Sequence, residues 1–198
     1  MQPTRALAKR LPLLPPSALN AEQKKLYESI LNVITPRFQG FPTQRGDGAL
    51  IGPFNAMLHF PMFGAPAWAF NQAMIENSEL PRPLHQLVIL VTATKFGARY
   101  QIFAHEIVAE ASGLSPYKIA TIVAGERPTD LTFEEGVAFD LAKALNRGGS
   151  LSETMFELGR DTFGERGLAE IVFLVGCFCM VSVVLNAYDV AVPGRDDQ

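Results

Sequence analysis

Residues 80–114 read LPRPLHQLVILVTATKFGARYQIFAHEIVAEASGL, and this stretch decides the fold. Leu84, Leu87, Val88 and Val91 recur at helical spacing. The prolines at 81 and 83 open the helix, where a missing N–H costs no backbone bond. Gly97 breaks the run, and a second helix follows that carries His105 on a mixed face. Gly113 closes that helix, as glycine does where the chain turns left-handed. Ser115-Pro116 opens the next, with a capping serine and a proline at the first helical position.

The rest of the chain reads the same way. Asn20-Ala21-Glu22-Gln23 is a capping box, predicting a helix from Ala21 to about Thr35. Residues 36–51, PRFQGFPTQRGDGALI, form a loop that is long for a compact domain, and such loops are often functional. Arg37 and Arg45 there are either solvated or meet an anionic ligand. GPFNAMLHFP, residues 52–61, predicts a short helix from Asn55 to Phe60 between the breakers Pro53 and Pro61. A longer helix is expected over Ala65 to Glu76, with Trp68 and Phe70 in or near the core. Beyond the central pair, helices are expected from Ser115 to Ala124, from the capping box Thr132-Phe133-Glu134-Glu135 to about Asn146, from Ser150 to about Phe163 and from Glu165 to Tyr188. No stretch alternates as a strand does, so the expected fold is an all-α helical bundle.

A chain of 198 residues is most simply one domain, here 1–198, with residues 1–19 as an extended N-terminal arm and 194–198 as a solvated tail. The arm has basic residues and no acid before Glu22, as a transit peptide would, but its prolines at 12, 15 and 16 fit an extended segment better. Hydrophobic residues make up 48% of the chain, enough for a full core without disulfide staples. A net charge of -3 with no basic cluster argues against nucleic acid as a partner. Cys177 and Cys179 are two apart on a helix and point to nearly opposite sides, so they read as core thiols in a reducing, cytoplasmic compartment. Residues 171–188 carry no charge over 18 positions, a length at the lower limit for a membrane span. Gly176, Ser182 and Asn186 interrupt them and no basic flank anchors them, so a buried core helix is the better reading and no membrane partner is expected. A helix apolar all round also fits contact with a second subunit.

Three blocks, GPFNAMLHFP (52–61), LHQLVILVTATKFGARYQIFAHE (84–106) and VGCFCMVSVVLNAYDVAVP (175–193), resemble the carboxymuconolactone decarboxylase family within the alkylhydroperoxidase-D-like fold. The resemblance runs from about Arg10 to Pro193 and is more specific for fold than for reaction. It implies homo-oligomers, trimers or hexamers built from them, and chemistry without metal or organic cofactor. The departures are informative. Gln86 stands where the family usually has glutamate in LRELAIL, His85 where it has arginine, and Gln101 where it has glutamate in YEWYAH. The peroxidase branch of the fold carries C-x-x-C with histidine four residues later. Counted back from His105 those positions are Ala98 and Gln101, so no thiol is available for peroxidase chemistry.

His105 is the leading catalytic candidate, because histidine exchanges a proton near neutral pH. Gln101 lies four residues earlier on the same helix face and is expected to hold one ring nitrogen; Tyr100 is the third candidate. Gln86, Asn55, His59 and His85 are the candidates for substrate binding. His59 lies in a block that borders the pocket in the family, and His85 fits a surface position as well as a site position. Glutamine can only donate and accept hydrogen bonds, so replacing two carboxylates leaves a less anionic site.

The expected function is therefore a cofactor-independent, decarboxylase-like lyase acting by acid–base catalysis on an unsaturated lactone, carbonyl compound or carboxylic acid, with His105 as proton donor. The alternative is a biosynthetic isomerase, dehydratase or cyclase using the same enol chemistry on a natural-product intermediate. A second alternative is a non-catalytic binding protein that kept the pocket. A small molecule is the expected partner, and no metal is expected, because three scattered histidines make a poor ligand set.

Overall fold

The structure, a computed structural model, describes residues 10–194. It holds eight helices and, among the described residues, no strand: α1 (Ala21–Arg37), α2 (Pro53–His59), α3 (Pro61–Glu76), α4 (Arg82–Phe96), α5 (Arg99–Ala111), α6 (Pro116–Val123), α7 (Phe133–Arg147) and α8 (Glu153–Ala187). The all-α expectation holds. The arm is described from Arg10, with one 3-10 turn at Pro16–Ala18; residues 1–9 and 195–198 lie outside the described residues.

Local signals set most helix starts. Asn20 Oδ1 accepts from Gln23 N–H and Gln23 Oε1 accepts from Asn20 N–H, both at 2.9 Å. Thr132 and Glu135 repeat the reciprocal arrangement at the start of α7. Ser115 and Ser152 cap α6 and α8. Pro53 and Pro61 act differently from expectation. Each takes the first position of a helix instead of breaking one, so α3 begins four residues early and only Phe60 separates it from α2. The tight α2–α3 corner depends on Gly64, where a Cβ would stand 2.2 Å from the Met57 carbonyl oxygen.

α4 is the hub. Leu84, Leu87, Val88, Ile89, Leu90 and Val91 are all buried, so it is covered on every side, packing against α5, α6, α7 and α8. The segments expected over 150–163 and 165–188 form one run, α8, which starts at Glu153 and whose single non-helical residue is Gly164. By length and composition α8 could cross a membrane, but Leu168, Ile171, Leu174, Phe178 and Val181 are buried in the main core.

Two apolar cores result. The main one is built on α4, α5, α7 and α8. The smaller one joins α1, α2 and α3 through Ile30, Ile34, Leu58 and Trp68, whose indole N–H donates to Ser29 Oγ at 3.1 Å. The loop after α1 closes on this smaller core: Leu50 is fully buried, and Tyr27 O–H donates to the Gly48 carbonyl at 2.8 Å. The seam between the cores is where polar side chains collect.

Candidate functional site

A chamber of about 90 Å³ occupies that seam. Phe54 and Met57 of α2 form one wall; Ile89 of α4 and Phe178, Val181 and Leu185 of α8 form the other. Five of the polar candidates line it: His85, Gln86, Tyr100, Gln101 and His105. The α4–α5 hairpin, turned at Gly97, brings them together from two helices.

His105 Nδ1 lies 2.7 Å from Gln86 Oε1. An amide oxygen only accepts, so Nδ1 carries the hydrogen and donates it, and Nε2 keeps its lone pair. The imidazole meets the Phe178 ring edge-on at 5.1 Å. Burial, helped by nearby His85, lowers the His105 pKa from 6.5 to about 3. The ring is therefore neutral at physiological pH, and the free nitrogen is a base.

Gln101 was expected to hold His105 and does not. Its Oε1 accepts from Ser182 Oγ of α8 at 3.1 Å. Sharing a helix face brought the two residues close in projection, but partners on neighbouring helices took both side chains. With Oε1 engaged, the Gln101 amide nitrogen is buried without a partner among the described residues. The same holds for the Tyr100 hydroxyl and for His85 Nε2. Leaving a buried polar atom unbonded costs about 1–3 kcal/mol. Three such atoms sit on side chains that line one chamber, and each needs a partner that a water or a ligand could supply. Burial pushes the Tyr100 phenol well above its usual pKa, so it stays protonated and donates. His85, open between surface and site on sequence grounds, is half-buried in the chamber wall, and burial lowers its pKa.

Asn55 and His59, expected to bind substrate, do not line this chamber. Asn55 accepts from Leu14 N–H at 3.1 Å and donates to the Pro12 carbonyl at 3.1 Å; His59 Nε2 lies 2.7 Å from the same carbonyl. They fasten the N-terminal arm, whose extended backbone needs partners outside itself. Ser182 and Phe178 were missed as site residues: one is a lone hydroxyl and the other one aromatic among many in an apolar helix. The thiols stand apart. Cys177 takes a contact from Asn71 Nδ2 at 3.6 Å and burial pushes its pKa up to about 11; Cys179 donates to Asn146 Oδ1 at 3.4 Å. Both are free. Among the described residues no three His, Cys, Asp or Glu side chains gather as a metal-binding group.

This arrangement defines an all-α protein with a half-buried, neutral histidine at the junction of two helical cores. Solved structures place it further. The alkylhydroperoxidase AhpD core of an uncharacterized peroxidase-related protein from Ralstonia eutropha JMP134 superposes with a TM-score of 0.76 at 15% identity, over 94% of this chain and 93% of that one. An uncharacterized peroxidase-related protein from Silicibacter sp. TM1040 gives 0.71 at 19% identity, over 98% and 96%. The debrominase Bmp8 in complex with 2,3,4-tribromopyrrole gives 0.70 at 13% identity, over 96% and 94%. No protein-family model and no curated protein matches the sequence. The fold is the alkylhydroperoxidase-D-like fold, and at these identities the likeness extends to fold alone.

Proposed function

We propose that this protein is a cofactor-independent enzyme that moves a proton on an unsaturated carbonyl compound, such as a β,γ-unsaturated lactone. The observation that carries the reading is the His105–Gln86 contact, which leaves Nε2 as a base in a greasy chamber. His105 takes a proton from the carbon beside the carbonyl. The electrons move onto the carbonyl oxygen, where Tyr100 O–H and the Gln101 amide are free to donate. The imidazolium then returns its proton to the far carbon of the dienolate, and the double bond ends in conjugation with the carbonyl.

This is the isomerase branch of the sequence expectations. The lyase branch, loss of CO2 with reprotonation by His105, needs a proton on Nε2 at the start, and burial together with Gln86 opposes one there. The non-catalytic reading fits a chamber of this kind less well, since a binding site gains nothing from a base kept neutral. The fold's enzymes include a debrominase, which supports an enzyme here without fixing its reaction.

The test uses α-angelica lactone, a β,γ-unsaturated lactone whose conjugated isomer is separable by chromatography. Isomerisation above the buffer rate is expected, falling about 100- to 10,000-fold in His105→Gln. A wild-type rate equal to that of His105→Gln rejects the reading. A homo-oligomer, trimer or hexamer, in a reducing cytoplasm belongs to the same proposal. Exposed Met62 and Phe63 of α3 and Phe173 and Val183 of α8, together with the two free thiols, support it.

A further inference from the structure

A second cavity, of about 330 Å³, adjoins the chamber and shares Phe38, Ile75, His85 and Gln86 with it. Its outer wall carries Arg37, the last residue of α1, and Arg82, the first of α4. We infer that this vestibule holds a carboxylate of the substrate between Arg37 and Arg82, while the unsaturated carbonyl end of the same molecule lies in the chamber beyond His85. The inference rests on the proton-transfer reading of the chamber and names its substrate class: a monocarboxylate whose acid group stays outside the reacting centre and is retained in the product.

Three observations carry it. First, neither guanidinium has a carboxylate partner among the described residues. Arg45, Arg127, Arg160 and Arg166 pair with Asp47, Asp140, Glu157 and Glu79. The loop arginines that looked alike in the sequence thus separate into a paired Arg45 and an available Arg37. Second, no acidic side chain of the described residues lines the vestibule. The carboxylate whose charge reaches His85, Glu170, is already occupied: it accepts from Ser78 Oγ, from Glu79 N–H at 2.9 Å and from Leu80 N–H at 3.3 Å. Third, no charged side chain of the described residues lines the chamber. An ionised carboxylate there would be stripped of water with no cation to meet it. The polar division runs through His85 and Gln86, with cations on one side and neutral donors on the other.

The probe is 3-benzoylpropanoate, a ketone and a carboxylate two methylenes apart, compared by calorimetry with its methyl ester. A charge-assisted contact at a partly open site predicts that the acid binds about ten-fold tighter than the ester. The variant Arg37→Gln/Arg82→Gln, at two exposed positions, is expected to erase that preference. Equal binding of acid and ester to the wild type, no binding of the acid, or a preference that survives in the double variant overturns the inference. α-Angelica lactone has no carboxylate and reads the chamber alone. Isomerisation without an acid preference means that the vestibule inference fails and the chamber chemistry stands. An arginine-dependent preference without isomerisation means the reverse.

Discussion

His105 Nδ1 and Gln86 Oε1 lie 2.7 Å apart across the α4–α5 hairpin, and that contact sets the proton on the ring. A glutamate at 86, as the resembling family carries, would accept the same hydrogen but add a negative charge beside the imidazole, favouring the charged ring. The amide keeps the tautomer without the charge.

Gln86→Glu therefore tests the contact directly. In the wild type, with His105 lowered to about 3, the acid limb of kcat/KM for α-angelica lactone is expected to be flat from pH 8 down to about pH 5. In Gln86→Glu the limb is expected to move to higher pH by about one unit or more, because an opposite charge within hydrogen-bond reach shifts a pKa by about 1–3 units. Profiles that stay superimposable down to about pH 3.5 would remove His105 as the titrating base.

The same depressed pKa makes a stability prediction. In the unfolded chain His105 binds a proton near its ordinary 6.5, and in the folded protein not until about 3. Between those values the unfolded state holds more protons, so stability falls as pH drops below 6.5 and levels off near 3. His85, also lowered by burial, adds in the same direction. At pH 5 the His105 share is about 2 kcal/mol, from about 1.4 kcal/mol per unit. Urea midpoints at pH 7 and pH 5, at one fixed protein concentration, should show a smaller drop for His105→Asn than for the wild type. Equal drops would mean that the ring titrates normally.

Which parts of this were legible in the sequence follows from range. The capping boxes at Asn20 and Thr132 could be read because donor and acceptor lie three residues apart in one chain segment. The hairpin at Gly97 and the burial of α4 could be read because periodicity reports which faces are covered. The misreadings involve partners far away in sequence. Gln101 turned to Ser182, 81 residues on, and His59 to Pro12, 47 residues back. Pro53 and Pro61 read as breakers in the sequence because a proline signals a helix start and a helix stop alike, and only the packing of α2 on α3 decides between them.

Ser182 is a positioning residue. Its hydroxyl donates to Gln101 Oε1 and holds that oxygen against α8, which leaves the amide nitrogen as the end without a partner among the described residues. Ser182→Ala leaves the amide free to turn its oxygen inward, where it would repel a developing oxyanion. The expected result is a fall in kcat of about ten-fold or more with KM nearly unchanged, because the oxyanion exists only in the transition state. A rise in KM alone would assign Ser182 to packing instead.

Gly52 and Tyr100 make the sharpest pair of variants. A Cβ on Gly52 would stand 2.5 Å from Tyr100 Cε1 and 2.7 Å from its hydroxyl, and Gly52 itself has φ of 70°. Gly52→Ala must therefore displace the phenol and strain the start of α2, with a stability loss of about 1–3 kcal/mol. Tyr100→Phe deletes a buried hydroxyl that has no partner among the described residues, so it should leave the protein at least as stable as the wild type. Both variants are expected to lower kcat for α-angelica lactone about 100-fold, the usual scale for one lost oxyanion donor. They reach that loss through one atom, so the double variant should be hardly slower than either single one. Full additivity would show that Gly52 acts on the site by a route that does not pass through the Tyr100 hydroxyl.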